Sequence, residues 1–93
     1  MENFEALGRY VAHKEEALRF AGMRNNILKD LVHQIRMSLD AETAHMIAVD
    51  LNFARAEELL KKASDAHCAM IRAVAETNAA ADACGHPKLA VGK

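Results

Sequence analysis

The sequence predicts an all-α protein: a long antiparallel helical hairpin with coiled-coil-like packing that dimerises into a four-helix bundle. Three observations predict it. One Pro and four Gly in 93 residues leave few of the breaks that a small sandwich or barrel needs. Apolar residues repeat at heptad spacing through two long segments separated by Ser38-Leu39-Asp40. A second apolar seam flanks the first, which is more than a lone hairpin can cover.

The first helix is expected from about residue 3 to about residue 37. Its leading seam runs through Phe4, Leu7, Val11, Lys14, Leu18, Ala21, Asn25, Leu28, Val32 and Ile35. The stretch Gly22-Met23-Arg24-Asn25-Asn26 is its weak point, because a glycine costs about 1 kcal/mol against alanine inside a helix. The heptad keeps its phase across the stretch and no Pro intervenes, so one continuous helix is expected. Gly8 and Gly22 share a flank and read as points of close backbone approach or as tolerated exposed glycines.

The turn is placed at residues 38–40, where Ser38 or Asp40 can cap the next helix. The second helix is expected over about residues 41–84. Its seam runs through Met46, Val49, Phe53, Ala56, Leu60, Ala63, His67, Met70, Val74 and Thr77. Cys84-Gly85-His86-Pro87 ends it, with Gly85 suited to a left-handed cap and Pro87 unable to continue the helix. Pairs such as Glu5/Arg9, Glu15/Arg19, Glu57/Lys61 and Glu58/Lys62 stand in the acid-first order that supports a helix. Residues 1–84 therefore form the hairpin, and residues 85–93 read as a tail, frayed or docked on a partner or on its own bundle.

A tight turn at Asp40-Ala41 pairs residues whose numbers sum to about 81, which sets Val32 against Val49, Leu28 against Phe53 and Val11 against Met70. It also brings Arg36 near Asp50 and Lys29 near Glu57. The flanking seam of Ala6, Tyr10, Ala17, Phe20, Ile27 and Leu31, with Leu59, Ala66, Ala73 and Ala80 on the second helix, is then left outside. Burying a Phe, Ile or Leu is worth roughly 1.5–3 kcal/mol, so Tyr10, Ala17, Phe20, Ile27, Leu31, Leu59, Ala66, Ala73 and Ala80 are expected to meet a second copy or a protein partner.

Three polar residues interrupt the leading seams. Asn25 can fix register and oligomeric state, and Lys14 shares a layer with His67 as a polar, pH-sensitive seam or as a snorkelling lysine beside a neutral imidazole. Cys84-Gly85-His86 offers two metal-capable side chains, but zinc needs about four ligands and no second pair stands at matching spacing. Glu42 and His45 are the one Glu-x-x-His match, without the second copy that a di-iron bundle uses. There is no phosphate loop, nucleophile elbow or triad pattern. No metal, cofactor or catalytic residue is expected, and the protein is not expected to be an enzyme.

Twelve basic and thirteen acidic residues give a formal charge of −1, so a bulk drive toward nucleic acid or anionic lipid is missing. Arg9, Lys14, Arg19, Arg24 and Lys29 recur every five residues and spiral round the helix instead of making a face. Two cysteines sixteen residues apart in one helix cannot pair, and free thiols suit a reducing cytoplasm. Met46-Ile47-Ala48-Val49, the longest clear aliphatic run, is far too short to span a membrane. The expected function is a protein–protein interaction module, a small dimeric bundle serving as adaptor, assembly factor or inhibitor of a larger protein, of a size and shape common in mobile elements and phage. The alternatives are a helical-hairpin dimer that binds nucleic acid and a metal or redox bundle.

Overall fold

The computed structural model describes residues 2–40 and 45–92. Two helices make up the described chain, α1 over Glu2–Leu39 and α2 over Phe53–Cys84, packed against each other as a helical hairpin. Among the described residues there is no strand. α1 runs unbroken through Gly22 and Asn26 for 38 residues. An added Cβ at Gly8 or Gly22 would meet nothing within 4 Å, so neither glycine is a point of close approach within the chain.

The start of α2 differs from expectation. Residues 45–52 form an irregular connection, and the helix expected from residue 41 begins at Phe53. The expected first turn at residues 41–44 lies outside the described residues. The cap is Asn52: its backbone is extended (φ −76°, ψ 93°) and its Oδ1 accepts the Arg55 N–H at 3.0 Å. Ser38 caps nothing; its hydroxyl donates back to the Ile35 carbonyl at 2.7 Å. Val49 then donates its N–H to the Ser38 carbonyl at 3.2 Å, which lays the connection back along the end of α1. At its far end α2 closes as expected, with Gly85 left-handed at φ 73° and its N–H on the Ala81 carbonyl at 2.9 Å.

A longer connection moves the register. His13 on α1 meets Glu76 on α2, a pair summing to 89 and not to about 81. The expected Arg36–Asp50 and Lys29–Glu57 pairs do not form among the described residues. Instead His13 Nδ1 lies 2.9 Å from a Glu76 carboxylate oxygen and 3.4 Å from one of Glu16. That nitrogen is buried, and neither carboxylate is aligned to form a hydrogen bond with it.

On α1 the two seams have also exchanged places, while on α2 the core draws on both. The hairpin closes on Ala6, Tyr10, Ala17 and Leu31 of α1 against Leu59, Ala63, Ala66, Met70, Ala73, Thr77, Ala80 and Ala81 of α2. Tyr10, Ala17, Leu31, Leu59, Ala66, Ala73 and Ala80, expected at an outer interface, are thus buried inside the hairpin, with Phe20 and Ile27 half-buried; Ala63, Met70 and Thr77 are buried as expected. Leu59 is 4 % exposed, whereas its neighbour Leu60, expected in the core, is 55 % exposed. The reason is steric. The α2 seam is mostly Ala, which lets the helix axes approach, and the rings and branched side chains of Tyr10, Phe20, Ile27 and Leu31 stand on the facing seam of α1. The expected register also set small residues opposite large ones in its middle layers, as in Ala21 with Leu60, but faced Leu28 with Phe53 and Val32 with Val49 near the turn. Tyr10 packs with Ala80 and Ala81, and Cys84 joins them. Thr77 is fully enclosed, its hydroxyl satisfied by the Ala73 carbonyl at 2.7 Å.

Two outcomes test this packing in urea titrations followed by circular dichroism. Leu59→Ala lowers stability by about 2–5 kcal/mol, and Ala73→Leu, which forces the helices apart, lowers it by about 1–3 kcal/mol. Gly22→Ala raises stability by about 0.5–1 kcal/mol, because the new methyl group meets nothing and the helix loses a flexible residue.

Candidate functional site

Closing the inner seam leaves the other one in water. On α1, Leu7, Val11, Leu18, Val32 and Ile35 are exposed, with Leu28 half-buried; on α2, Phe53, Leu60 and Ile71 are exposed, with Val74 half-buried. At 100° per residue this seam lies roughly 100° from the inner one, in the same rotational sense on both helices. Because the helices are antiparallel, equal rotations bring both outer seams to one side of the hairpin. The opposite side is charged. There Glu58 Oε2 and Oε1 take Arg55 at 3.2 Å and Lys62 at 3.3 Å, and first Lys62, then Arg55, hold its carboxyl below the usual carboxylate range.

The three polar residues of the expected seam sit on this outer face and form no packed layer inside the hairpin. Asn25 is exposed, its Oδ1 taking Arg24 Nη1 at 2.6 Å. His67 is half-buried. Lys14 is half-buried with its Nζ 5.6 Å from the centre of the Tyr10 ring. A shallow cleft of about 540 Å³ on α1 is lined by Asn25, Leu28, Lys29, Val32, His33 and Arg36.

The tail is docked at one end of the face, and no sequence signal placed it there. Asn78 of α2 holds Leu89 by both backbone groups: its Nδ2 donates to the Leu89 carbonyl at 3.1 Å, and its Oδ1 accepts the Leu89 N–H at 2.7 Å. The Tyr10 hydroxyl donates to the Pro87 carbonyl at 3.0 Å. The His86 ring stacks on Tyr10 with centroids 4.9 Å apart, and Lys88 pairs with Asp82 at 3.2 Å. Tyr10, expected in an oligomer contact, is thus covered by Ala80, Ala81 and the tail of its own chain.

Among the described residues no three His, Cys, Asp or Glu side chains come together as a metal site. His86, half of the Cys84/His86 pair, has its ring against Tyr10, and Cys84 packs beside Ala80 and Ala81. Glu42 of the Glu-x-x-His match lies outside the described residues. Among the basic residues of α1, Arg24 bonds Asn25 and Arg19 lies over the Phe20 ring at 4.5 Å. No described helix is long and apolar enough to cross a membrane. Comparison with family models, with curated proteins and with solved structures returned no match.

Cys68 is exposed and Cys84 half-buried, and neither is in a disulfide. Ellman's reagent should modify exposed Cys68 at least several-fold faster than Cys84; equal rates would mean that the end of α2 is not packed as described.

Proposed function

We propose that the protein is a non-enzymatic protein–protein interaction module. Two copies join through their outer faces into a four-helix bundle, and the assembly acts as adaptor, assembly factor or inhibitor of a larger protein. One observation carries this reading: an apolar face contributed by both helices, interrupted only by Lys14, Asn25 and His67, lies on one side of the hairpin, and none of the described residues covers its middle.

Magnitudes favour a second copy as the occupant. The chain exposes 6984 Å², against about 5,300 Å² for a compact monomer of 10.2 kDa. The excess is of the order that one partner buries in a standard or larger interface, about 800 Å² upwards. The hairpin extends 71 × 20 × 17 Å, so one long side offers more footprint than such an interface needs. A closed two-fold arrangement hides the same patch on both copies and leaves no open edge. Asn25, Lys14 and His67, spaced along the face, select the register in which polar groups meet. A near-neutral charge gives the nucleic-acid reading no electrostatic support, and two unpaired thiols suit a reducing cytoplasm.

Sedimentation equilibrium tests the proposal. The wild-type chain should sediment as a dimer, and Leu18→Asp with Leu60→Asp should give a monomer with its helix content intact. A monomeric wild type, or a double variant that stays dimeric, would contradict it. Phe20→Asp with Ile27→Asp, by contrast, should unfold the hairpin itself.

A further inference from the structure

The way the tail is held has the form of a recognition site. We propose that Tyr10, Asn78 and Asp82 form a binding site for an extended peptide of Pro-basic-aliphatic type, and that the chain's own His86-Pro87-Lys88-Leu89 is its resident ligand.

The contacts divide as in known modes of peptide capture, where main-chain hydrogen bonds hold the strand and side-chain contacts choose it. Asn78 presents one donor and one acceptor, and both are used on a single residue's backbone. This matches a side-chain amide to a peptide N–H and C=O and asks nothing of the ligand's side chain there. Tyr10 reads a second backbone group, the carbonyl of Pro87. Selectivity comes from three further features. Proline fixes an extended backbone and lacks an N–H that would otherwise need a partner. Asp82 faces the basic residue that follows it. The Tyr10 ring offers its face to the residue before the proline. Val11, Leu18 and Leu89, with Lys14 and Glu15, border a cleft of about 480 Å³ that the tail leaves unfilled, room for a larger side chain than the tail supplies.

The ligand is tethered through a single left-handed residue, Gly85, beyond the last turn of α2. His86, Pro87 and Lys88 are exposed, so the segment lies on the seat and is not enclosed by it. A tethered ligand competes at an effective concentration in the millimolar range for a short link, so an outside peptide is excluded while the tail is sound. The site is therefore closed by default and opens when the tail is weakened. This inference does not depend on dimerisation, and its readout is separate from oligomeric mass.

Fluorescence anisotropy of a labelled nine-residue peptide with the sequence of residues 85–93 tests it on the full-length chain. A chain carrying Lys88→Glu and Leu89→Asp in its own tail should bind the peptide at least tenfold more tightly than wild type. Adding Asn78→Ala to that chain should lose at least tenfold, and adding Tyr10→Phe at least threefold, with helix content checked at 222 nm. A peptide N-methylated at the leucine, which cannot donate to Asn78, should bind at least tenfold more weakly, and this arm needs no change in the seat. Equal affinity for wild-type and tail-weakened chains would overturn the proposal. So would no binding to a helical tail-weakened chain, or indifference to the N-methyl group.

Discussion

Two helices in contact can bury one stripe each, and both helices of this chain carry two. That limit governs the rest of the molecule. The stripe that closes is the one in which Ala-rich α2 accepts the large side chains of α1, because close approach of the axes gains contacts along the whole length of the rod. Only small residues make that approach possible, and Ala63, Ala66, Ala73, Ala80 and Ala81 supply it. The more bulky stripe, with Val11, Leu18, Val32, Phe53 and Leu60, is displaced to the outside by this choice.

The consequences for function follow from shape. A radius of gyration of 19.3 Å, against about 12 Å for a compact chain of this length, leaves a core one residue thick and a large accessible surface. The rod has a long side rich in aliphatic groups and a charged side opposite. The tail covers one end of the apolar side, held there through its own backbone groups by Asn78 and Tyr10.

Much of this was legible in the sequence. Helix type, the unbroken passage through Gly22, and the glycine cap before Pro87 follow from local rules, since each depends on residues within one or two turns. The existence of two seams was equally plain. Which seam closes was not, because apolar size favours the bulky stripe while packing favours the complementary one, and heptad counting weighs only the first. The connection was misplaced for a related reason. Ser38 and Asp40 are good caps in isolation, but Asn52 caps the helix that fits, and moving the start of α2 by a dozen residues shifts the pairing by about eight. The docking of the tail has no periodic signal at all. It depends on Asn78 facing Leu89 across a reversed chain, a contact that only the assembled fold defines.

The closing of the hairpin on its small-residue stripe is most directly tested by nuclear Overhauser contacts from the ring of Tyr10, the sole tyrosine, with isotope filtering so that contacts within one chain are read. Cross-peaks from that ring to the methyl groups of Ala80 and Ala81 are the result this packing requires. Cross-peaks from Val11 to Met70 with the Tyr10 ring silent toward α2 would mean that the bulky stripe closes the hairpin, and the account of both contact surfaces would fall with it.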